Sequence, residues 1–281
     1  MKRQQYFQHR LRTLNALHDA VSAMRSLSAH HFRQARSALA PARSYRDEIE
    51  QVIHDVGLPE IPQSVRPFGL LLITSDLGLC GDYSVRLSQT GLQVIDQHAI
   101  GNIYAVGRRS RGVLARAELQ PVRVYPAPAS RGGISSLLLE LAEDLLVDYL
   151  EAKIGGLLVV AAKFTGVGHF QPQVTQLLPQ PPSSALRPER RTPYVDSSEL
   201  VAVVARESLY ITLHEILLSA VASEHGMRLV AAESALEWLD SVRQSTSRRL
   251  TMAKSEAATQ ELLDIVAGGR KQFREDAAKS T

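Results

Sequence analysis

"LLITSDLGLCGDYS", residues 71–84, is the stretch on which the reading of this chain turns. An apolar run stops at Ser75-Asp76. A loop with Gly78 and Gly81 then surrounds Cys80, the one cysteine among 281 residues. That cysteine could be a nucleophile, a ligand or a packed side chain in a turn. Neither a G-x-G-x-x-G nor a G-K-[ST] fingerprint comes after the apolar run, so the usual phosphate-cradling loops are absent. Asp82 in "GLCGD" stands where a nucleophile elbow needs its second glycine. A catalytic cysteine also needs a base, and no histidine lies near it in sequence, although His98 or His169 could approach in space. A small packed thiol in a strand-to-helix turn is the favoured reading. A cysteine-dependent α/β hydrolase with helical arms is the alternative.

Outward from this loop, residues 68–178 alternate in type. "FGLLLITS", "NIYAVG", "VRVYP", "GGLLVVAAKF" and "FQPQVTQLL" read as strands. "VRLSQTGLQVIDQH", "RSRGVLARAE" and "GISSLLLELAEDLLVDYLEAK" between them read as helices. This order predicts a Rossmann-like, mostly parallel sheet flanked by helices. "PQPPSSALRPERRTPY" then reads as a proline-rich linker.

Both ends of the chain call for long helices. Residues 1–56 hold no glycine and one proline, Pro41, which should bend the helix or shift its register. A 3-4 seam runs Leu14, Leu17, Val21, Met24, Ser28, His31, Ala35, Ala38, Ala42, Tyr45, Ile49, Val52, Val56. Eleven of these are apolar, where the 44% apolar composition alone would give about six. His31 reads as a tolerated polar seam residue rather than a metal ligand. "GLPEIP", from Gly57 to Pro62, should end the helix.

From Tyr194 to Thr281 there is no proline, and Leu213, Ile216, Leu217, Ala220 and Val221 begin a long apolar stripe. A helix over 206–267, closed by Gly268-Gly269, would be roughly 93 Å long. No globular core covers that length, so it should pair with the N-terminal helix. The intervening domain makes the pair antiparallel. The expected fold is therefore α/β: an antiparallel coiled coil of N- and C-terminal helices plus a mostly parallel α/β domain. The expected divisions are the N-terminal coiled-coil helix 1–57, the α/β domain 68–180, a linker with the start of the C-terminal helix 181–205, and the C-terminal coiled-coil helix and tail 206–281.

Composition bounds the rest. The net charge of +3 argues against a nucleic-acid binder, although residues 1–46 carry nine Lys/Arg against Asp19 alone. That end should meet an acidic surface, or else be a solvated helix face. A single cysteine cannot form an internal disulfide, which favours a reducing compartment. The basic start lacks the apolar core of a signal peptide, and no stretch is long and apolar enough to span a bilayer.

Four stretches carry a resemblance to a known family. "ITSDLGLCGDYS" is similar to the S-D-R-G-L-C-G-G-L-N stretch of the gamma subunit of F-type ATP synthases, and "VVAAKF" with "VTQLLP" resembles a strand pair of that family. "LLSAVASEHGMRLVAAESAL" and "LTMAKSEAATQELLDIVAGG" resemble its C-terminal helix. "AMRSLSAHHFRQA" and "ARSYRDEIEQVI" resemble its N-terminal helix more weakly.

The resemblance implies a non-catalytic central rotor shaft, without cofactor, metal or small-molecule substrate of its own. It couples ion flow through a membrane c-ring to ATP synthesis or hydrolysis in a ring of alpha and beta subunits. Its implied partners are those subunits, the epsilon subunit and the c-ring. Its implied place is peripheral, on the cytoplasmic face of the bacterial inner membrane. Ser75, Asp76, Gly78, Cys80 and Gly81 become a structural loop. Arg25, Arg33 and Arg36, with Lys254, Ser255 and Gln260 on the other helix, become contacts with the alpha/beta ring. Leu262, Leu263, Ile265 and Val266 should form an apolar tip turning in a sleeve of that ring. The sequence departs from the family at Leu77, Asp82, Lys254 and Ser255. It departs again at Arg25, Ser26, Leu27, His30 and His31, and in the tail after residue 269. Lys254 lacks the forked guanidinium of the family's arginine, so that contact should be weaker.

Overall fold

A computed structural model describes residues 2–56, 66–179 and 197–279. The helix stop at "GLPEIP" and the proline-rich linker fall outside the described residues. Five helices and five strands succeed one another: α1 (Lys2–Val56), β1 (Phe68–Ile73), α2 (Tyr83–Gln97), β2 (Ile100–Val106), α3 (Arg111–Arg116), β3 (Arg123–Tyr125), α4 (Ile134–Leu150), β4 (Leu157–Gly166), β5 (His169–Leu178) and α5 (Ser197–Lys279).

The strands form one sheet in the order β3-β2-β1-β4-β5. β1 pairs in parallel with β2 and β4, β2 pairs in parallel with β3, and β5 returns antiparallel to β4. Both faces of the central strands are covered, which is why β1 and the start of β4 are nearly continuous apolar runs rather than alternating ones. Leu71, Ile73, Tyr104, Val106, Val159 and Ala161 point to one face. They pack with Leu138 and Leu141 of α4, with Ala35 and Leu39 of α1, and with Leu213 and Leu217 of α5. Leu70, Leu72, Ile103, Leu158 and Val160 point to the other face, against Tyr83 and Leu87 of α2 and Leu114 of α3.

The chain divides into two compact units, residues 25–231 and residues 1–24 with 232–281. In the first, Arg43 and Arg46 of α1 both bind Glu215 of α5, and Tyr45 donates to Glu207 at 2.9 Å. In the second, Arg3 binds Glu256 at 3.1 Å and His18 lies 3.6 Å from Asp240. In each, numbers rise on α1 as they fall on α5, so the helices are antiparallel, as expected. Leu14, Leu236 and Leu239 are buried in the second unit.

Two expectations need correction. The seam placed Leu17, Tyr45 and Val52 inward, yet all three are exposed, while Phe32 and Leu39, off the seam, are buried. α1 faces the sheet domain as well as α5: the Phe32 ring packs against Phe164 of β4, tilted, with centroids 5.7 Å apart. One helical stripe cannot describe two contact faces. Second, α5 does not stop at Gly268-Gly269 but continues to Lys279. The Arg, Lys, Gln, Glu and Ala of "RKQFREDAAK" are strong helix formers that outweigh about 1 kcal/mol per glycine.

Candidate functional site

In an open α/β sheet a ligand sits beyond the carboxyl ends of the strands, where strand order reverses. Here that place is between β1 and β4, and the 75–82 loop leads into it. Ser75 is fully buried; its hydroxyl donates to the Leu77 carbonyl at 3.0 Å and lies 2.8 Å from the Ser84 hydroxyl. Asp76 accepts the Arg108 backbone N–H at 2.8 Å and the Ala127 N–H at 3.0 Å. One carboxylate thus ties together the loops after β1, β2 and β3. Leu79 and Gly81 both have left-handed backbones, φ 57° and 58°.

Cys80 is buried in this turn. Its sulfur lies 3.5 Å from the Ser75 hydroxyl and 3.7 Å from the Leu77 carbonyl. Neither is a base, and no other hydrogen-bond partner of the thiol occurs among the described residues. His98 Nδ1 is 3.2 Å from the Val94 carbonyl on its own helix. The hydrolase alternative therefore lacks its proton acceptor, and the packed-thiol reading accounts for the contacts.

The crevice itself is filled by α5. The Ser219 hydroxyl donates to the Ala162 carbonyl at 3.0 Å and accepts the Phe164 N–H at 2.8 Å, which docks the helix on the end of β4. Tyr83, fully buried, donates its hydroxyl to the Ala220 carbonyl at 3.2 Å. Further along, the buried guanidinium of Arg228 donates to the Gly78 carbonyl at 3.2 Å, to His225 Nδ1 at 3.3 Å and to the Glu224 carboxylate. His225 then donates from Nε2 to the Ala129 carbonyl at 3.1 Å. Accepting at one nitrogen and donating at the other fixes it as a neutral tautomer. Burial pushes the His225 pKa down to about 4, helped by the charge of Arg228. Burial raises the Glu224 carboxyl above its ordinary value, against the pull of Arg228. Composition-level reading missed this cluster. Its signal was a Glu and an Arg at i,i+4 inside an otherwise apolar stripe.

Beside it, a cleft of about 350 Å³ is lined by Arg43, Arg46, Lys163, Thr175, Thr212 and Glu215. Its two arginines are both paired with Glu215, and Lys163 adds a third cation to the lining. Among the described residues no three His, Cys, Asp or Glu side chains stand close enough to share a metal ion.

The outward faces hold the remaining residues singled out in the sequence. Arg25, Arg33 and Arg36 are exposed and, among the described residues, have no ion pair. Lys254, Ser255 and Gln260 are exposed as well, Gln260 donating to Asp264 at 3.0 Å. Leu262, Leu263, Ile265 and Val266 are all more than half exposed, so packing on α1 does not account for any of them. No helix among the described residues is long and apolar enough to cross a membrane.

Comparison with known proteins agrees with this layout. A family model described as ATP synthase matches residues 4–270. An ATP synthase gamma chain of Moorella thermoacetica is 28% identical over 273 residues, covering 92% of this chain and 95% of that one. One of Alkaliphilus metalliredigens is 24% identical over 286 residues, covering 94% and 96%. The fold is similar to a chain in the Euglena gracilis mitochondrial ATP synthase structure of OSCP, F1 and c-ring, with a TM-score of 0.67 at 13% identity, covering 99% of this chain and 96% of that chain. It is also similar to one in the Tetrahymena thermophila central stalk and c-ring structure, with a TM-score of 0.55 at 15% identity, covering 77% and 99%.

Proposed function

The chain belongs to the ATP synthase family, and on that premise we propose that it is the gamma-type, central-stalk rotor subunit of a rotary ATP synthase. It is itself non-catalytic. Its task is to couple ion flow through the c-ring to ATP synthesis or hydrolysis in the alpha/beta ring. One observation carries this reading: α5 fills the crevice where an α/β domain of this kind would take a substrate, and then runs on to pair with α1. The domain is built to hold a shaft.

The chain is a peripheral subunit of a membrane complex, in keeping with the absence of a spanning helix among the described residues. We place it on the cytoplasmic face of a bacterial inner membrane. Arg25, Arg33 and Arg36 on α1 and Lys254, Ser255 and Gln260 on α5 are its proposed contacts with the alpha/beta ring. Unpaired cations suit steering and torque transfer more than adhesion, since exposed pairs contribute only about 0.2–1 kcal/mol each. Leu262, Leu263, Ile265 and Val266 are proposed to turn in an apolar sleeve, a contact with no hydrogen bonds to break. The proposed division is a shaft of 1–57 and 206–281, a foot of 68–180, and 181–205 as a linker with the start of the C-terminal helix.

The test is co-purification from native membranes. Alpha, beta and c subunits should accompany the tagged chain, with ATPase activity in the eluate. Charge reversal at Arg25 and Arg33 should then reduce ion pumping per ATP hydrolysed while the subunits stay together. Recovery of the chain without those subunits would overturn the reading.

A further inference from the structure

The cleft beside α5 marks the place where the sheet face changes character. Successive residues of a strand point to opposite faces, so Val159, Ala161 and Lys163 of β4 share the face that meets α1 and α5. Their antiparallel partners on β5 are Thr175, Gln173 and Gln171. Val159 and Ala161 are buried, whereas Lys163 and Gln173 are exposed. A side chain as small as Ala161, with Gln173 and Thr175 beside it, does not fill the space under α5. What remains is the cleft of about 350 Å³, with Ala161, Phe164 and Ile216 as its apolar wall. Sites for small molecules have volumes of about 300–1,000 Å³.

The rest of the lining is rich in donors and poor in acceptors. Arg43 donates from Nε to Glu215 at 3.0 Å, and its two terminal nitrogens have no partner among the described residues. Arg46 donates to Glu215 at 2.5 Å and to Asp47 at 2.8 Å. Its Nε is shut off from water and makes no hydrogen bond, although Glu50 stands 3.3 Å away. Lys163 has no ion pair among the described residues. The Thr175 hydroxyl accepts from Gln173 Nε2 at 3.4 Å and keeps its own proton to donate. Against these donors the lining holds one carboxylate, Glu215. Asp47 and Glu50 do not line the cleft and are exposed, so water screens them.

A cavity with spare donors takes a ligand with spare acceptors. These donors stand on α1, on α5 and on the β4–β5 pair. A carboxylate accepts only near its own plane, whereas a phosphate offers three terminal oxygens in a tetrahedral array. The apolar wall leaves room for an organic portion beyond the phosphate. The exposed carboxylates of Asp47 and Glu50 would repel an anionic membrane surface, which favours a soluble ligand over a lipid headgroup.

We propose that this cleft binds a soluble organic phosphate monoester, its phosphate held by Arg43, Lys163 and the Thr175 and Thr212 hydroxyls. Such a site does not depend on the chain's place in an assembly.

The test is calorimetric titration of the full-length chain with phenyl phosphate at constant ionic strength, with acetate and phosphatidylglycerol vesicles for comparison. The expected result is saturable one-site binding of phenyl phosphate and none of acetate. Lys163→Gln and Arg43→Gln should each weaken it about 1.5- to fivefold, the range for exposed charges. Thr212→Leu, which fills the cleft and changes no charge, should abolish it. Arg116→Gln, on α3 at the opposite face of the sheet, should leave it unchanged. Thermal melts without ligand check that each variant folds. Should Arg43→Gln unfold for want of its pair with Glu215, Lys163→Gln and Thr212→Leu decide the matter. Heat that does not saturate, undiminished binding in Thr212→Leu, a loss in Arg116→Gln equal to that in Lys163→Gln, or binding to the vesicles alone would overturn the proposal.

Discussion

Arg228 is where a single substitution has the largest worked consequence. Its guanidinium is the one counter-charge on the buried Glu224, and it also holds the Gly78 carbonyl and His225 Nδ1. Arg228→Met fills similar volume but strands a carboxylate in a dry site. Breaking a buried pair from one side costs about 3–5 kcal/mol. Changing both partners, Glu224→Gln with Arg228→Met, removes the stranded charge and leaves only lost hydrogen bonds, about 1–2 kcal/mol. The double variant should therefore be about 1–4 kcal/mol more stable than the single one.

Urea unfolding of the isolated subunit, monitored by circular dichroism, measures both. The pH dependence adds a second check. Burial raises the Glu224 carboxyl above its ordinary value, so the native state keeps a proton that the unfolded chain has released. Stability then falls as pH rises from the unfolded value through the folded one. Without Arg228 the folded value moves higher still. The deficit of Arg228→Met should thus be smallest at acid pH and deepen toward neutrality. Equal stabilities of single and double variants, or a deficit that does not change with pH, would refute the buried-pair argument.

Other expectations concern neighbouring parts. His225 is held neutral, with its pKa lowered to about 4, so the wild type should lose stability as pH falls from about 6.5 to 4, by roughly 3 kcal/mol. His225→Gln keeps a donor and an acceptor and should flatten that part of the curve in acid-denaturation titrations. Gly107 has φ 89°, and a Cβ there would stand 2.5 Å from the Thr74 carbonyl oxygen. Gly107→Ala should cost about 2–3 kcal/mol, whereas Gly112→Ala, on α3 with open space around it, should stabilise by about 0.5–1 kcal/mol in thermal melts. Changing Leu262, Leu263 and Ile265 together to Ser should lower subunit retention after a mild-denaturant wash more than it lowers turnover per intact complex. Unchanged retention would rule out the sleeve.

Much of this architecture is legible in the sequence because it rests on local pattern. β1 and β4 are apolar on both faces, α2 and α4 have helical period, and the terminal segments lack breakers, so each element identifies itself. The features that escape are set by contacts between distant segments. Phe32 lies off the α1 seam because its partner is Phe164, on a strand more than a hundred residues away. Glu224, His225 and Arg228 look like solvated charges until the loop carbonyls of Gly78 and Ala129 are brought to them. Gly268-Gly269 has the character of a helix stop only when taken alone; the helix formers from Arg270 onward carry α5 through it.

Because α5 closes the strand ends and pairs with α1, this protein has an unusual problem during its own synthesis. Helix α1 must wait for α5. Arg3 and Glu256 are 253 residues apart. At about 5–20 residues per second, roughly 13–50 s pass between the appearance of one and the other. For most of that interval the sheet lacks Ser219 and Arg228, and the side of α1 that meets α5 has nothing to bury against. A nascent chain in this condition is a substrate for chaperones. Premature termination anywhere before α5 leaves a body with its crevice open and the α5-facing side of α1 unpaired.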